Sequence, residues 1–268
     1  MKKIAITSSI ISKDNRINTA YITAFTNNKT LPIIIPTIVN KILDYTDPKK
    51  EKEYKEKAEE IAKTCDALIL TGGADINPLI YDKKNNNSIA CNTKRDKTDL
   101  YLIEAFIKEQ KPIMGICRGM QILGLIFKLP NFKQNLSNIE ELHNANTNEL
   151  ATRQEFAHTI KIYGSLEKYF IENKYITEEK ENINVNSFHH QGFAFIERKQ
   201  EKTTTINTKK EIEEINEKTE LNILASTDRI IEAFEHKKLP IFAVQWHPEE
   251  YGNKSAIINY FINKYLKT

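Results

Sequence analysis

The run Pro112-Ile113-Met114-Gly115-Ile116-Cys117 is apolar until its last residue, and Arg118-Gly119-Met120-Gln121 opens an amphipathic stretch behind it. A thiol therefore stands at the corner where a strand gives way to a helix. A second apolar run, Ile241-Phe242-Ala243-Val244, leads into Gln245-Trp246-His247-Pro248-Glu249, with an imidazole and a carboxylate two residues apart. A third, Ala67-Leu68-Ile69-Leu70, leads to Gly72 and Gly73, whose unhindered amides suit an oxyanion hole. These residue types make up a nucleophile, a base and its orienting carboxylate. Only a few per cent of a free thiol is ionised at neutral pH, but an imidazole or a helix N-terminus beside it raises that fraction. His247 would take and return the proton, and Glu249 would fix the ring's tautomer.

Taken alone, each signal has a plainer reading. A lone cysteine is most often a small buried hydrophobe, and a glycine pair is most often a turn. The combination carries the argument. Gly115-Ile116-Cys117-Arg118-Gly119-Met120-Gln121 resembles the nucleophile motif of class I glutamine amidotransferases, and Val244-Gln245-Trp246-His247-Pro248-Glu249 resembles their His/Glu motif. Thr71-Gly72-Gly73-Ala74-Asp75-Ile76-Asn77-Pro78 with Tyr81, Arg95-Asp96, and Val185-Asn186-Ser187-Phe188-His189-His190-Gln191 are similar to runs of the gamma-glutamyl hydrolase branch. Together they resemble gamma-glutamyl-gamma-aminobutyrate hydrolases, over a span from about Lys3 to Tyr265.

The resemblance implies a flavodoxin-like α/β fold, doubly wound, with a mainly parallel central sheet, flanking helices and additional C-terminal strands. It implies Cys117 as nucleophile, His247 as general base and acid, and Glu249 as orienting carboxylate. The amides of Gly73 and Arg118 would form the oxyanion hole. Gln121, Ser187 and His189 would meet the substrate, Gln121 at the α-amino or α-carboxylate end of a glutamyl group. The expected reaction is hydrolysis of a gamma-glutamyl amide through a glutamyl thioester, with no cofactor and no metal. The alternative is a glutaminase subunit that supplies ammonia to a separate synthetase. The expected partner is a small-molecule gamma-glutamyl substrate; relatives often pair, so a homodimer is among the assemblies the resemblance allows.

Two stretches depart from the family pattern. Where many relatives have a Gly-Gly turn after the nucleophile helix, this chain reads Lys128-Leu129-Pro130-Asn131-Phe132-Lys133-Gln134-Asn135-Leu136. That puts the local turn and the substrate pocket in question. Residues 198–220 are rich in lysine, glutamate and threonine and read as a charged insertion, a solvated loop or frayed helix.

The elements that must hold these groups follow from periodicity. Strands are expected at 3–8, 32–35, 67–70 and 112–116, and helices at 51–63, 97–109 and 118–127. The C-terminal half predicts strands at 158–162, 184–186, 193–196, 223–225, 230–236 and 241–245, then a helix at 253–265. The chain of 268 residues, 40% of them hydrophobic, is long enough for one large domain, 1–268, with a substantial core. Its 39 basic and 36 acidic side chains nearly balance, which argues against a nucleic-acid partner. No apolar run is long enough to span a membrane or serve as a signal peptide, so a cytoplasmic protein without membrane contact is expected. Cys65, Cys91 and Cys117 have no metal-type spacing and cannot all be bridged, which fits a reducing compartment. Adjacent His189 and His190 point apart and suit a substrate loop better than a metal. His158 reads as a structural residue, Asn85-Asn86-Asn87 as a loop tip, and His143 and His236 carry no argument.

Overall fold

A computed structural model of the chain describes residues 1–11, 14–27, 29–41, 47–137, 152–177, 182–195, 198–200, 203–205 and 208–266. His143 lies outside them. The N-terminal half runs β1 (Lys2–Thr7), a hairpin of β2 (Ser9–Ile11) and β3 (Asp14–Arg16), α1 (Thr19–Ala24), β4 (Thr30–Ile35), α2 (Pro48–Thr64), β5 (Ala67–Leu70), a 3₁₀ turn (Pro78–Tyr81), α3 (Thr93–Lys108), β6 (Ile113–Ile116) and α4 (Arg118–Ile126). There follow β7 (Phe132–Lys133), β8 (His158–Ile162), α5 (Gly164–Glu172), β9 (Asn182–Val185), β10 (Gly192–Ala194), the hairpin β11 (Arg198–Gln200) and β12 (Thr203–Thr205), and α6 (Thr208–Lys218). The chain ends in β13 (Leu221–Ser226), β14 (Ile230–His236), β15 (Ile241–Val244), a 3₁₀ segment (Pro248–Lys254) and α7 (Ala256–Tyr265).

One sheet organises these elements, in the order β4-β1-β5-β6-β15-β14-β13-β8-β9, with β10 and β7 attached beside β14. Pairing is parallel from β4 to β15 and antiparallel from β15 onward. Parallel strands are covered on both faces, which is why β5, β6 and β15 are apolar and buried at every position. Alternation within β5 divides the core. Leu68 and Leu70 face the layer of α2, α3 and α4, where Ala58, Leu102 and Leu123 pack. Ala67 and Ile69 face the layer with Phe25, Ile258 and Phe261. The parallel strands from β4 to β15 with helices on both faces are the doubly wound core expected from the sequence, and the antiparallel strands beyond β15 are its additional C-terminal strands.

Helix signals explain most of the boundaries. α2 starts at Asp47, whose side chain accepts from Lys49 N, with Pro48 in the first turn. Its buried face is Tyr54, Ala58 and Ala62, while Lys55–Glu51 and Lys57–Glu53 pair on the outside. The C-terminal helix begins later than expected, at Ala256 behind the Ser255 cap, because Pro248–Lys254 forms a separate 3₁₀ segment with Gly252 at φ 61°. Within the charged stretch 198–220 the described residues form the strands β11 and β12, which pair, and α6, which buries Ile212 and Ile215.

The glycine-free turn after α4 forms with two non-glycine residues in the left-handed region, Lys128 at φ 58° and Asn131 at φ 60°. Leu129 N bonds Gly124 O at 2.8 Å, and Asn131 Nδ2 bonds Ala194 O at 2.7 Å. Asparagine tolerates this conformation, whereas lysine strains to adopt it. Lys128→Gly should therefore raise stability by about 0.5–1 kcal/mol, strain relief exceeding the added unfolded-state entropy. Urea denaturation of both proteins measures the difference, and an unchanged or lower midpoint would contradict the strain.

Candidate active site

The parallel trio β5, β6 and β15 aligns Leu70 with Gly115, and Ile116 with Val244. Their carboxyl ends therefore release three loops along one edge, where open α/β sheets bind ligands. β5 delivers Thr71-Gly72-Gly73, β6 delivers Cys117, and β15 delivers the turn to His247. Cys117 has φ 54° and ψ −108° and forms the N-cap of α4. Its own N–H donates to Val244 O at 2.8 Å. The amides of the next residues, beginning with Arg118, have no acceptor within the helix. α4 reaches this position because Gly119 lies against β5, where a Cβ would come within 2.2 Å of Leu70 O.

His247 Nδ1 meets Glu249 Oε1 at 2.7 Å, and both side chains are buried. Burial alone would lower the imidazole. The Glu249 carboxylate and the Cys117 sulfur, each acting through charge and hydrogen bonding, outweigh that and hold it well above its ordinary range. The imidazole and the Cys117 side chain meet at Gly72: a Cβ there would lie 2.8 Å from His247 Cε1 and 3.4 Å from Cys117 Cβ. Asn186 brackets His247, its Oδ1 accepting from the His247 N–H and its Nδ2 donating to the His247 carbonyl, both at 3.0 Å. The Phe188 ring stands edge-on to the imidazole at 5.6 Å, and the Arg153 guanidinium lies over that ring at 4.2 Å.

Cys117, Gly73, Gln121 and His189 line one cavity of about 180 Å³. Asp75 and His190 bridge its wall, with His190 Nε2 2.9 Å from Asp75 Oδ2, and this carboxylate raises the His190 imidazole. Gln121 spends its amide N–H groups on the wall, Nε2 donating to Gln191 O at 3.0 Å and to Gln245 Oε1 at 3.3 Å. What it can offer the cavity is the acceptor oxygen. Ser187 is fully buried and is not among the cavity's lining residues. The Arg118 side chain turns away into ion pairs with Asp96 and Asp99, so only its main chain faces the Cys117 corner. A wider cleft of about 720 Å³, walled by Thr159, Lys161 and Thr208, has neither cysteine nor histidine in its lining.

A model of the family described as peptidase C26 matches residues 2–249. The chain belongs to the peptidase C26 family. It is similar to the glutamine amidotransferase-like protein YvdE of Lactococcus lactis subsp. lactis, 30% identical over 188 residues that make up 69% of this chain and 66% of that one. It is also similar to the gamma-glutamyl-CDP-amidate hydrolase of Campylobacter jejuni, 27% identical over 186 residues, 68% of this chain and 62% of that one. Each alignment spans just under two thirds of the relative's length. The glutaminase domain of Trypanosoma brucei CTPS, solved with bound acivicin, shares the fold with a TM-score of 0.53 at 12% identity, covering 100% of this chain and 95% of that one. The peptidase C26 family is class I glutamine amidotransferase-like, and this membership fits the gamma-glutamyl hydrolase branch. Among the described residues no helix is long and apolar enough to cross a membrane.

Four further groups at this site lie outside the residues that the motifs nominate for chemistry. Tyr21, on α1, accepts from Gly72 N at 2.8 Å. Burial, with the Glu249 carboxylate beside it, pushes its hydroxyl well above the ordinary tyrosine range. Asn186, Arg95 and Ser9 also hold site backbone through long-range contacts. Only Arg95 and Asn186 lay in motifs that could have drawn attention to them. Behind Cys117, Arg95, Asp96, Asp99 and Arg118 form a charge-balanced cluster, none more than 3% exposed. Removing one charge leaves its partners uncompensated in a dry environment. Asp99→Asn should cost about 3–5 kcal/mol, read from urea unfolding; a loss below about 1 kcal/mol, the level of an exposed pair, would contradict the ion-pair assignment.

Proposed function

We propose that this protein hydrolyses a gamma-glutamyl amide, with Cys117 as nucleophile, His247 as acid and base, and Glu249 as the orienting carboxylate. The observation that carries the reading is the buried His247–Glu249 pair, 2.7 Å apart, acting on a thiol held at a strand-to-helix corner. The Cys117 thiolate attacks the γ-carbonyl carbon, and the C–O π electrons move onto oxygen. The amides of Gly73 and Arg118 receive that oxyanion. His247 gives its proton to the departing amine as the C–N bond breaks, leaving a glutamyl thioester. Water then attacks the thioester carbon and gives a proton to His247. The C–S bond breaks, glutamate leaves, and the thiolate and imidazolium are restored.

The cavity supports a small acyl group. At about 180 Å³ it lies below the roughly 300–1,000 Å³ of drug-sized sites, so it suits one glutamyl unit while the amine remains outside. Gln121, with its acceptor oxygen, matches the substrate's α-ammonium group, and His189 lines the same wall. The Campylobacter relative, a gamma-glutamyl-CDP-amidate hydrolase, belongs to the same reaction class.

Purified protein incubated alone with gamma-glutamyl-gamma-aminobutyrate, glutamine and a gamma-glutamyl peptide should release glutamate, more from the first or third than from glutamine. Cys117→Ala should abolish the release. Release from glutamine alone, and only with a synthetase added, would favour the ammonia-supplying reading. The pH profile gives a second test. The leaving amine needs the His247 proton, so activity falls as pH rises through the raised imidazole value. Glu249→Gln removes a raising charge and should move this alkaline limb to lower pH; a limb that stays in place would contradict the role of Glu249.

A further inference from the structure

Arg95 belongs to a motif that the triad leaves unexplained, and its guanidinium is aimed at the glycine loop. Nη2 lies 2.8 Å from Thr71 O, 2.9 Å from Thr71 Oγ1 and 2.8 Å from Gly72 O. Nη1 donates to Ser9 Oγ at 2.8 Å, and Ser9 Oγ donates onward to Gly72 O at 3.3 Å. The Gly72 carbonyl is thus held directly and through a relay. The chain has no cis peptide bond among its described residues, and the C=O and N–H of a trans peptide point in opposite directions. With Gly72 O fixed toward Arg95, the Gly73 N–H is directed away from it. Gly73 itself lines the Cys117 cavity. The Gly72 N–H, by contrast, is spent on Tyr21.

The fit leaves no room for a side chain. Gly73 has φ +134°, and a Cβ would come within 2.3 Å of Arg95 Nη1 and 2.8 Å of Ser9 Oγ. The guanidinium also reaches the other proposed donor. Arg95 Nε is 3.7 Å from Asp99 Oδ2, the oxygen that receives Arg118 Nη1, while Asp96 takes Arg118 Nη2 and the Asn77 N–H. One helix, α3, therefore ties the glycine loop to the start of α4. A charged donor on the Gly72 carbonyl also polarises the peptide and strengthens its N–H as a donor.

We infer that Arg95 is a positioning residue for the oxyanion hole: with Ser9 it fixes the Gly72–Gly73 peptide so that the Gly73 N–H meets the γ-carbonyl oxygen only as that oxygen becomes an anion. This rests on the hydrolase reading above. The consequence is a separation of two reactions at one sulfur. Acylation of Cys117 by a gamma-glutamyl compound develops an oxyanion, whereas its alkylation by iodoacetamide does not.

The experiment compares Arg95→Lys and Ser9→Ala with the wild type, using gamma-glutamyl-p-nitroanilide turnover and the rate of iodoacetamide labelling at Cys117. A lysine ammonium cannot serve the fork of oxygens, so kcat should fall about 100-fold in Arg95→Lys with KM nearly unchanged. Ser9→Ala removes only the relay and should lose about 3–10-fold in kcat, a fraction of the full donor's worth. Labelling of Cys117 should stay at the wild-type rate in both. Unchanged kcat in both variants, or labelling slowed in parallel with kcat, would overturn the inference. If Arg95→Lys does not fold, Ser9→Ala, which leaves every buried charge in place, decides by the same criteria. A wild type that is labelled at Cys117 but turns over no gamma-glutamyl compound would overturn the hydrolase reading itself.

Discussion

The backbone of Cys117, at φ 54° and ψ −108°, is the constraint on which the rest of the site depends. A non-glycine residue in a sparsely populated region costs about 1–3 kcal/mol and persists only where its surroundings over-determine it. Here β6 is locked between β5 and β15, the Cys117 N–H is anchored on Val244, and α4 closes onto β5 through the glycine at 119. The strained corner brings the sulfur to the edge of the cavity and the first amides of α4 to its side. A relaxed backbone would separate them.

The buried charges behind this corner fit the same logic. Ion pairs removed from water recover little net stability, and a hydrophobic cluster of equal volume would often do as well. What Arg95, Asp96, Asp99 and Arg118 contribute is direction, because each guanidinium bond fixes the orientation of a loop or a helix start. Burial and the neighbouring Arg118 charge lower the Arg95 guanidinium to about 10, which leaves it cationic at neutral pH. On the opposite side, Tyr21 and Asn186 hold Gly72 and His247 by their main chains. All three loops are thus fastened at the backbone.

Much of this was legible in the sequence, for physical reasons. Fully buried parallel strands read as continuous apolar runs, so β5, β6 and β15 and the loops they release could be located almost to the residue. The pairing of His247 with Glu249 followed from local spacing. The missing parts are those fixed by distant contacts or masked by composition. α1 is only six residues long, fewer than two helical turns, so no repeating apolar pattern marks Tyr21. In α6 the spacing of Ile212 and Ile215 was concealed by surrounding lysines and glutamates. The turn at Lys128 lacked its expected glycines yet forms at the cost of local strain. Gln121 lines the Cys117 cavity, but the commitment of its N–H groups to Gln191 and Gln245 depends on partners 70 and 124 residues away. Sequence spacing cannot register such bonds.

The central claim is that Cys117 carries the glutamyl group between the two halves of the reaction. Rapid mixing with a gamma-glutamyl substrate, acid quenching during turnover and mass spectrometry of the digested chain tests it directly. The account predicts a glutamyl thioester on the peptide that contains Cys117. Steady turnover with no adduct there, or with the adduct on Cys65 or Cys91, would contradict it.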